Sequence, residues 1–245
     1  MNLAYPFMGQ VLIGATDIKI DDPDAAMCDD DEADYLRGVV AEIFPDIPVT
    51  ADQIRHRFSG VRPLPRANGD IGSVTRDHSI AELTAPGGAP VLCLIGGKWT
   101  TFRGFSEQVT NRILQLIGRT RQRTTSDMQI GGGAGYPAPD QRHRWIETHA
   151  HDTGVPADRI STLLRRYGTR AARIAAHLGE DRPLASLPDY SREELSWLIQ
   201  HEQVGHLDDL LNRRTTIAIS GALTPEVRRE IGALYEQSRS AIVAA

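Results

Sequence analysis

The segment at residues 91–103, VLCLIGGKWTTFR, combines residue types that suit a negatively charged ligand. Its apolar run at 91–95 predicts a buried strand, and Gly96, Gly97 and Lys98 follow directly before a predicted helix. Two glycines let the backbone approach a bound group without a Cβ in between. A helix N-terminus offers unpaired N–H groups with partial positive charge, and Lys98 adds a full charge. The same residues are also compatible with an ordinary turn that carries a surface lysine.

Two arginines upstream lie in short segments that we predict to be extended. Arg62 belongs to SGVRPL at 59–64, and Arg76 belongs to VTRDH at 74–78. The planar guanidinium group matches phosphate oxygens through two parallel hydrogen bonds. If the two arginines converge, they favour a phosphorylated ligand, and the structural alternative is a pair of salt-bridged surface arginines.

With GATD at 14–17, the chain carries GATD, SGVRPL, TRDH and GGKWTTFR in that order. This order resembles the second half of the FAD-dependent glycerol-3-phosphate dehydrogenases, flavin enzymes that pass electrons from glycerol phosphate to quinone. The resemblance continues to HEQVGHLDDLLNRRT at 201–215 and so covers nearly the whole chain. Inside the motifs, Ala15 replaces a usual threonine and Phe102 a usual tyrosine, and neither change removes a group with an assigned role.

The resemblance implies FAD as cofactor and sn-glycerol 3-phosphate as substrate, which is oxidised to dihydroxyacetone phosphate by hydride transfer to the flavin. It places Arg62 and Arg76 at the substrate phosphate, and it makes Arg62 and Lys98 the candidate catalytic residues. The general base is not identified, and Arg62 is a weak candidate for it. The residues expected at the flavin are Gly96, Gly97, Lys98, Trp99, Thr100 and Thr101.

Some of these flavin-site assignments have structural alternatives. Thr100 and Thr101 are equally suited to capping the following helix. Trp99 is suited either to closing the flavin edge or to packing in the core.

A dinucleotide-binding fingerprint is missing from the sequence, although members of the family begin with a G-x-G-x-x-G turn. The nearest candidate is the glycine run at 131–135, which is followed by Tyr-Pro-Ala-Pro rather than by a helix and is interpreted as a linker. We therefore expect a piece of a longer enzyme that lacks its N-terminal half, is colourless when purified and is of uncertain activity alone. The alternatives are a related flavin oxidase of another small hydroxy or amino compound, or a non-catalytic helical remnant.

The composition is that of a soluble globular protein, with 40% hydrophobic and 24% charged residues among 245. Two separated cysteines argue against a disulfide framework and favour a cytoplasmic location. The resemblance adds peripheral contact with the inner membrane, a quinone acceptor and a possible homodimer. A nucleic-acid partner is not expected, because the net charge is −5 and the arginines at 119–123 are not interleaved with aromatic residues. A metal site is not expected either, because His201 and His206 are five residues apart rather than four.

The predicted fold class is α+β. Residues 1–90 form a mixed-sheet substrate-binding region, in which 11–16 is a strand, 30–44 is a helix with an acidic start, and 54–62 and 71–74 are extended. Residues 91–117 form the returning strand and helix of an FAD-binding domain, with the helix over about 99–117. A linker at 118–139 leads to an all-helical C-terminal domain at 140–245, in which a capping box at 191–194 and Thr224 mark helix starts.

Overall fold

A computed structural model of the chain describes residues 3–62 and 77–243. These residues form two compact units. The first is made of the described residues within Met1–Phe7, Val11–Ala51 and Phe58–Met128, and the second of those within Met8–Gln10, Asp52–Arg57 and Gln129–Ala245. Within the described ranges, no helix is both long and apolar enough to cross a membrane.

The chain opens with a strand pair, β1 at Leu3–Phe7 and β2 at Gln10–Gly14, joined through Met8 and Gly9. Both joining residues have positive φ, 51° and 77°, as tight two-residue connections require. The predicted helix at 30–44 is confirmed as α1, Asp30–Ile43. The Asp29 carboxylate accepts the Glu32 N–H at 2.9 Å, and the Glu32 carboxylate accepts the Asp29 N–H at 3.4 Å. The acidic start of this helix is therefore a capping box.

The predicted strand at 91–95 is confirmed as β4, Pro90–Ile95, which pairs antiparallel with β3, Ser79–Thr84. In the register of this pair, Ser79 lies opposite Ile95. The expectation that β4 is buried is wrong for the described residues, because Val91 and Leu94 are 40% and 52% exposed. The reason is that β3 and β4 form a two-stranded sheet, and no further described strand extends it.

The predicted helix over about 99–117 begins as a 3₁₀ turn, Trp99–Thr101, and continues as α2, Phe102–Leu116. Its buried residues are Phe105 and Val109. Arg112 links this helix to β3 through two hydrogen bonds to the Glu82 carboxylate, of 2.6 and 2.7 Å. The hydrogen bond from Arg112 lowers the pKa of Glu82.

The segment that follows α2 folds back onto that helix. Arg121 donates to the Asn111 side chain and to the Glu107 carbonyl, both at 2.7 Å. The Thr125 hydroxyl donates to the Glu107 carboxylate at 2.8 Å, and this bond lowers the pKa of Glu107. Arg103 donates to the carbonyl of Thr125. Arg121 and Thr125 of this segment are thus bound to α2 within the first unit.

In the second unit, the helices that the sequence predicted begin at Arg142, whereas the domain bounds of 140–245 stay a prediction. Its helices pack around one core in which Ile160, Ile174, Leu195, Leu210 and Ile231 are fully buried. The elements are α3 Arg142–Thr153, α4 Ala157–Tyr167, α5 Ala171–Leu178, α6 Arg192–His201, α7 Leu207–Asp209, a π-helix at Leu210–Arg214 and α8 Pro225–Val243.

The predicted helix starts in this unit are formed by side-chain caps. The Thr224 hydroxyl accepts the Val227 N–H at 3.2 Å, and α8 begins at the next residue, Pro225. The Ser191 hydroxyl accepts the Glu194 N–H at 3.1 Å. The reciprocal half of the predicted capping box is not formed, because the Glu194 carboxylate binds residues of α4 instead.

Candidate functional site

The turn between β4 and α2 depends on two glycines in left-handed conformations. Gly96 has φ of 69° and Gly97 has φ of 101°, values that residues with a Cβ rarely adopt. A Cβ on Gly96 would lie only 2.6 Å from the carbonyl oxygen of Asp77. Glycine at position 96 therefore lets the turn lie directly against the residues that precede β3.

Thr101 closes the same turn through hydrogen bonds to Lys98. The Lys98 N–H donates to the Thr101 hydroxyl at 3.2 Å, and that hydroxyl donates to the Lys98 carbonyl at 2.9 Å. The Thr101 N–H also reaches this carbonyl, at 2.9 Å. The Thr101 hydroxyl therefore closes the turn before the helix and makes no capping hydrogen bond to the helix itself, and its role at the flavin stays a prediction.

Several backbone donors of the turn are left over, three of them on residues around Lys98. The N–H groups of Gly97, Trp99 and Thr100 have no acceptor within residues 3–62 and 77–243. Lys98 is exposed beside them, and Trp99 is 90% exposed with its ring 6.1 Å from that of Phe102. Trp99 therefore does not pack in the core of its own unit. The turn presents a cation, backbone donors and an aromatic surface together.

His78 lies against this turn, although the sequence analysis did not single it out. Its Nε2 is 3.1 Å from the Gln108 side-chain oxygen, and its ring centroid is 4.5 Å from that of Phe105. A Cβ on Gly97 would lie 3.5 Å from the His78 Cβ. The position of His78 follows from the pairing of β3 with β4. Because Ser79 pairs with Ile95, the residues before β3 lie next to the residues after β4.

Arg62 is brought to the GATD motif. One of its guanidinium nitrogens, Nη1, is 3.6 Å from Oδ2 of Asp17, and both side chains are 47% exposed. Arg76, the second predicted phosphate ligand, lies outside the described residues. No described contact joins Arg62 to Lys98. The structure therefore brings SGVRPL, through Arg62, into contact with GATD. The turn of GGKWTTFR forms without any described contact to Arg62.

An acidic cavity of about 530 Å³ lies next to Asp17 in the first unit. Its walls include the carboxylates of Asp17, Asp29, Asp31 and Glu32, and neither Arg62 nor Lys98 lines it. Four carboxylates repel an anion, so this cavity is unsuited to a phosphate group. Among the described residues, no group of three or more His, Cys, Asp or Glu side chains could hold a metal ion.

Two family models match the chain, one over each end. Residues 2–103 match the FAD dependent oxidoreductase model, a range that includes Arg62 and the turn at 96–101. Residues 123–238 match the C-terminal domain of alpha-glycerophosphate oxidase, which corresponds to the helical part of the second unit.

Individual relatives agree with the family models. The chain is 33% identical over 228 residues to a glycerol-3-phosphate dehydrogenase of Synechocystis sp., a match that covers 87% of this chain and 39% of that protein. It is 30% identical over 219 residues to the D-erythritol 1-phosphate dehydrogenase of Brucella abortus, covering 86% and 42%. The structure of the Bacillus halodurans glycerol-3-phosphate dehydrogenase complexed with FAD matches with a TM-score of 0.73 at 20% identity, over 96% of this chain and 46% of that one.

These matches, together with the strand-turn-helix at 90–116, place the chain among the FAD-dependent oxidoreductases. More narrowly, the relatives that it resembles include glycerol-3-phosphate dehydrogenases, as the order of its motifs indicated. FAD is the cofactor of that family. The chain spans less than half the length of the relatives described above.

Proposed function

We propose that this chain is the portion of an FAD-dependent glycerol-3-phosphate dehydrogenase that supplies contacts to the flavin and to the substrate phosphate. The protein would oxidise sn-glycerol 3-phosphate to dihydroxyacetone phosphate. In this proposal β4 and α2 are the returning strand and helix of the FAD domain within a larger mixed sheet. The observation that carries it is the turn at 96–101, with its unused N–H groups beside Lys98, inside the range that matches the FAD dependent oxidoreductase family.

The residues of the turn fit the demands of a flavin. Bound FAD supplies a hydride acceptor, whose reduction leaves negative charge on the pyrimidine edge of the ring. The free N–H groups of Gly97, Trp99 and Thr100 and the Lys98 ammonium are donors of the kind that stabilises such charge. Thr101 holds these donors in place by closing the turn.

Arg62 suits the substrate phosphate. Its 3.6 Å contact with Asp17 is longer than the about 2.7–2.9 Å of a tight ion pair, and the side chain is half exposed. The guanidinium group can therefore turn toward a phosphate at little cost. Because arginine is not deprotonated in proteins, Arg62 acts in this proposal as a cation and not as the general base. Arg76 is proposed as its partner at the same phosphate.

A second substrate is favoured by one specific observation. The Brucella abortus relative is named for D-erythritol 1-phosphate, which, like glycerol 3-phosphate, joins a phosphate to a short polyol. Arg62 serves either phosphate equally. A flavin oxidase of an unphosphorylated hydroxy or amino compound has no use for this arginine.

The proposal extends to the partners that the resemblance implied. Electrons pass from the flavin to a quinone, and the protein works as a homodimer that is bound peripherally to the cytoplasmic face of the inner membrane. The family resemblance alone supports these points.

The test is a chimera in which this chain replaces the matching segment of the Synechocystis relative. We expect a yellow protein whose flavin is bleached anaerobically by glycerol 3-phosphate, and more slowly or not at all by glycerol. D-Erythritol 1-phosphate is the competing substrate in the same assay. A yellow, folded chimera whose flavin no phosphorylated polyol reduces would refute the proposal.

In this chimera, Lys98→Met is expected to slow flavin reduction about 100-fold, the usual loss when one donor to a developing negative charge is removed. Stopped-flow absorbance of the flavin measures the rate. Lys19→Met is the matched control, because Lys19 and Lys98 are the two lysines of the chain and both are exposed. Equal rates for the two variants would remove Lys98 from the reaction.

Arg62→Ala is expected to weaken binding of glycerol 3-phosphate by about 2 kcal/mol, or roughly thirtyfold, because a charged hydrogen-bonding partner is lost. The substrate concentration at half-maximal flavin reduction measures this change. Arg119→Ala, at another exposed arginine of the same unit, is expected to leave it unaltered. If Arg62→Ala also leaves it unaltered, the phosphate is bound elsewhere.

A further inference from the structure

A second cavity, of about 320 Å³, lies within the helical unit and is rich in arginine. Its walls carry four guanidinium groups, from Arg166, Arg170, Arg213 and Arg214, and a single carboxylate, from Glu202. This is the opposite of the acidic cavity in the first unit. Nothing in the proposed oxidation of glycerol phosphate uses these residues.

The arginines of the cavity are only partly neutralised. Arg170 pairs with Glu202 at 2.8 Å, and Arg213 pairs with Asp209 at 2.8 Å. Arg166 pairs with Glu194 at 3.1 Å.

Arg214 differs from these three. Its Nε donates to the Glu202 carbonyl at 2.6 Å, and no carboxylate pairs with it in the described part of the chain. Arg214 therefore carries one positive charge that no described carboxylate balances. Its other N–H donors have no acceptor among the described residues.

The backbone around this cavity is irregular on two sides. Arg213 and Arg214 lie in the π-helix Leu210–Arg214, a rare form that is frequently found at functional sites. The residue after Glu202, Gln203, has a positive φ of 52°, which is uncommon for a residue other than glycine. The irregular backbone thus occurs next to three of the charged residues that line the cavity.

Trp197 and Leu198 also line the cavity, and another part of its wall is formed by two glycine segments in close contact. A Cβ on Gly132 would lie 2.2 Å from the Tyr167 carbonyl oxygen, and a Cβ on Gly168 would lie 2.3 Å from the Gly132 carbonyl oxygen. The Thr169 N–H donates to the Gly132 carbonyl at 2.9 Å. This contact holds Gly131 at the cavity. A Cβ on Gly131 would lie 3.7 Å from the guanidinium carbon of Arg170.

We propose that this arginine cavity binds a phosphate group. Several guanidinium forks around one small space suit a tetrahedral anion, whose oxygens accept from more than one fork, better than a planar carboxylate. The excess charge on Arg214 supplies the attraction, and Arg170 and Arg213 can share their donors between their carboxylates and the ligand. The lining residues all belong to the second unit, and none of them is a residue of the substrate site proposed above.

The test is calorimetric titration of the full 245-residue chain with inorganic phosphate at low ionic strength. We expect saturable binding, weakened at least tenfold by Arg214→Gln and further by Arg213→Gln combined with it. Arg214→Gln leaves every described ion pair intact, so its fold is expected to be retained, as circular dichroism will check. Arg228→Gln is the matched control, because Arg228 holds Asp208 at 2.8 Å just as Arg213 holds Asp209. Arg62→Gln controls for phosphate at the proposed substrate site, so the two proposals fail separately.

A phosphate group could belong to a small molecule or to a lipid headgroup, and sedimentation with phosphatidylglycerol vesicles separates the two. Sedimentation that Arg214→Gln abolishes identifies a headgroup, whereas phosphate binding without sedimentation identifies a small ligand. If neither probe binds, or if Arg214→Gln and Arg228→Gln behave alike in both assays, the proposal is wrong.

Discussion

Glu194→Gln is expected to lower the free energy of unfolding of the helical unit by about 3 kcal/mol. Glu194 is fully buried, with 0% of its surface exposed. Its carboxylate accepts from Arg159 at 2.7 Å, from Arg166 at 3.1 Å and from the Tyr167 hydroxyl. Glutamine keeps the shape of the side chain but removes the charge that compensates the partly buried Arg159 and Arg166.

The surroundings of Glu194 depend on that charge. Burial, and then the charge of Glu194, raise the pKa of Tyr167, so its hydroxyl stays protonated and donates. Burial opposes the charge on Arg159, but hydrogen bonds and charges from Asp181 and Glu194 outweigh it and raise the pKa of Arg159. Arg166 also lies over the Tyr190 ring, 3.8 Å from its centroid. Loss of the carboxylate therefore disturbs several partners at once.

Urea denaturation, followed by far-ultraviolet circular dichroism, measures this effect. Glu236→Gln makes the same chemical change at an exposed position of α8 and is expected to alter stability by less than about 0.5 kcal/mol. If both variants unfold at the same urea concentration, the carboxylate of Glu194 does not contribute to stability as the geometry indicates.

Gly132→Ala is expected to destabilise the second unit by about 3 kcal/mol, since two costs add. Gly132 has φ of 73°, which disfavours a Cβ, and that Cβ would lie 2.2 Å from the backbone oxygen of Tyr167. Backbone cannot move aside as a flexible side chain can, so the contact with α4 must open.

Gly135→Ala separates the two costs. Gly135 has a similar φ of 65°, but nothing lies within 4 Å of the position that a Cβ would take, so only the conformational cost of about 1 kcal/mol remains. The same urea titration compares the variants. Equal losses for the two alanines would show that the contact between the glycine run and α4 contributes nothing to stability.

Local signals were sufficient to predict some of the regular elements, although β1 and β3 were not predicted. Asp29 and Glu32 marked the start of α1, Thr224 marked the start of α8, and the apolar run at 91–95 marked β4. Each of these depends on residues a few positions apart, which a sequence displays directly. The exposure of β4 could not be predicted in this way, because a short apolar run does not show how many strands flank it.

Long-range contacts were not predictable from the same signals. Glu194 occupies a capping-box position, yet its partners Arg159 and Arg166 lie 35 and 28 residues before it. The glycine run at 131–135 has the composition of a linker, but Gly132 is required by a close approach to Tyr167. A composition rule cannot distinguish a glycine that gives flexibility from one that allows contact.

In the candidate site, too, the local features were predictable from the sequence and the long-range contacts were not. Gly96, Gly97 and Lys98 located the turn correctly, because strand, glycines and helix are consecutive in sequence. The bonds between Thr101 and Lys98, and the place of His78 against Gly97, depend on the hairpin register. Convergence of Arg62 and Arg76 on one phosphate stays a prediction.

The exposed apolar side chains of the β3–β4 hairpin affect the solubility expected of the purified protein. Leu94 and Val91 expose apolar surface on a strand pair whose outer edges pair with no other strand in residues 3–62 and 77–243, and such edges template intermolecular pairing. In concentrated solution the isolated chain should accordingly scatter light and form soluble aggregates through this hairpin. A lysine in place of Leu94, acting as a gatekeeper charge, should keep it dispersed.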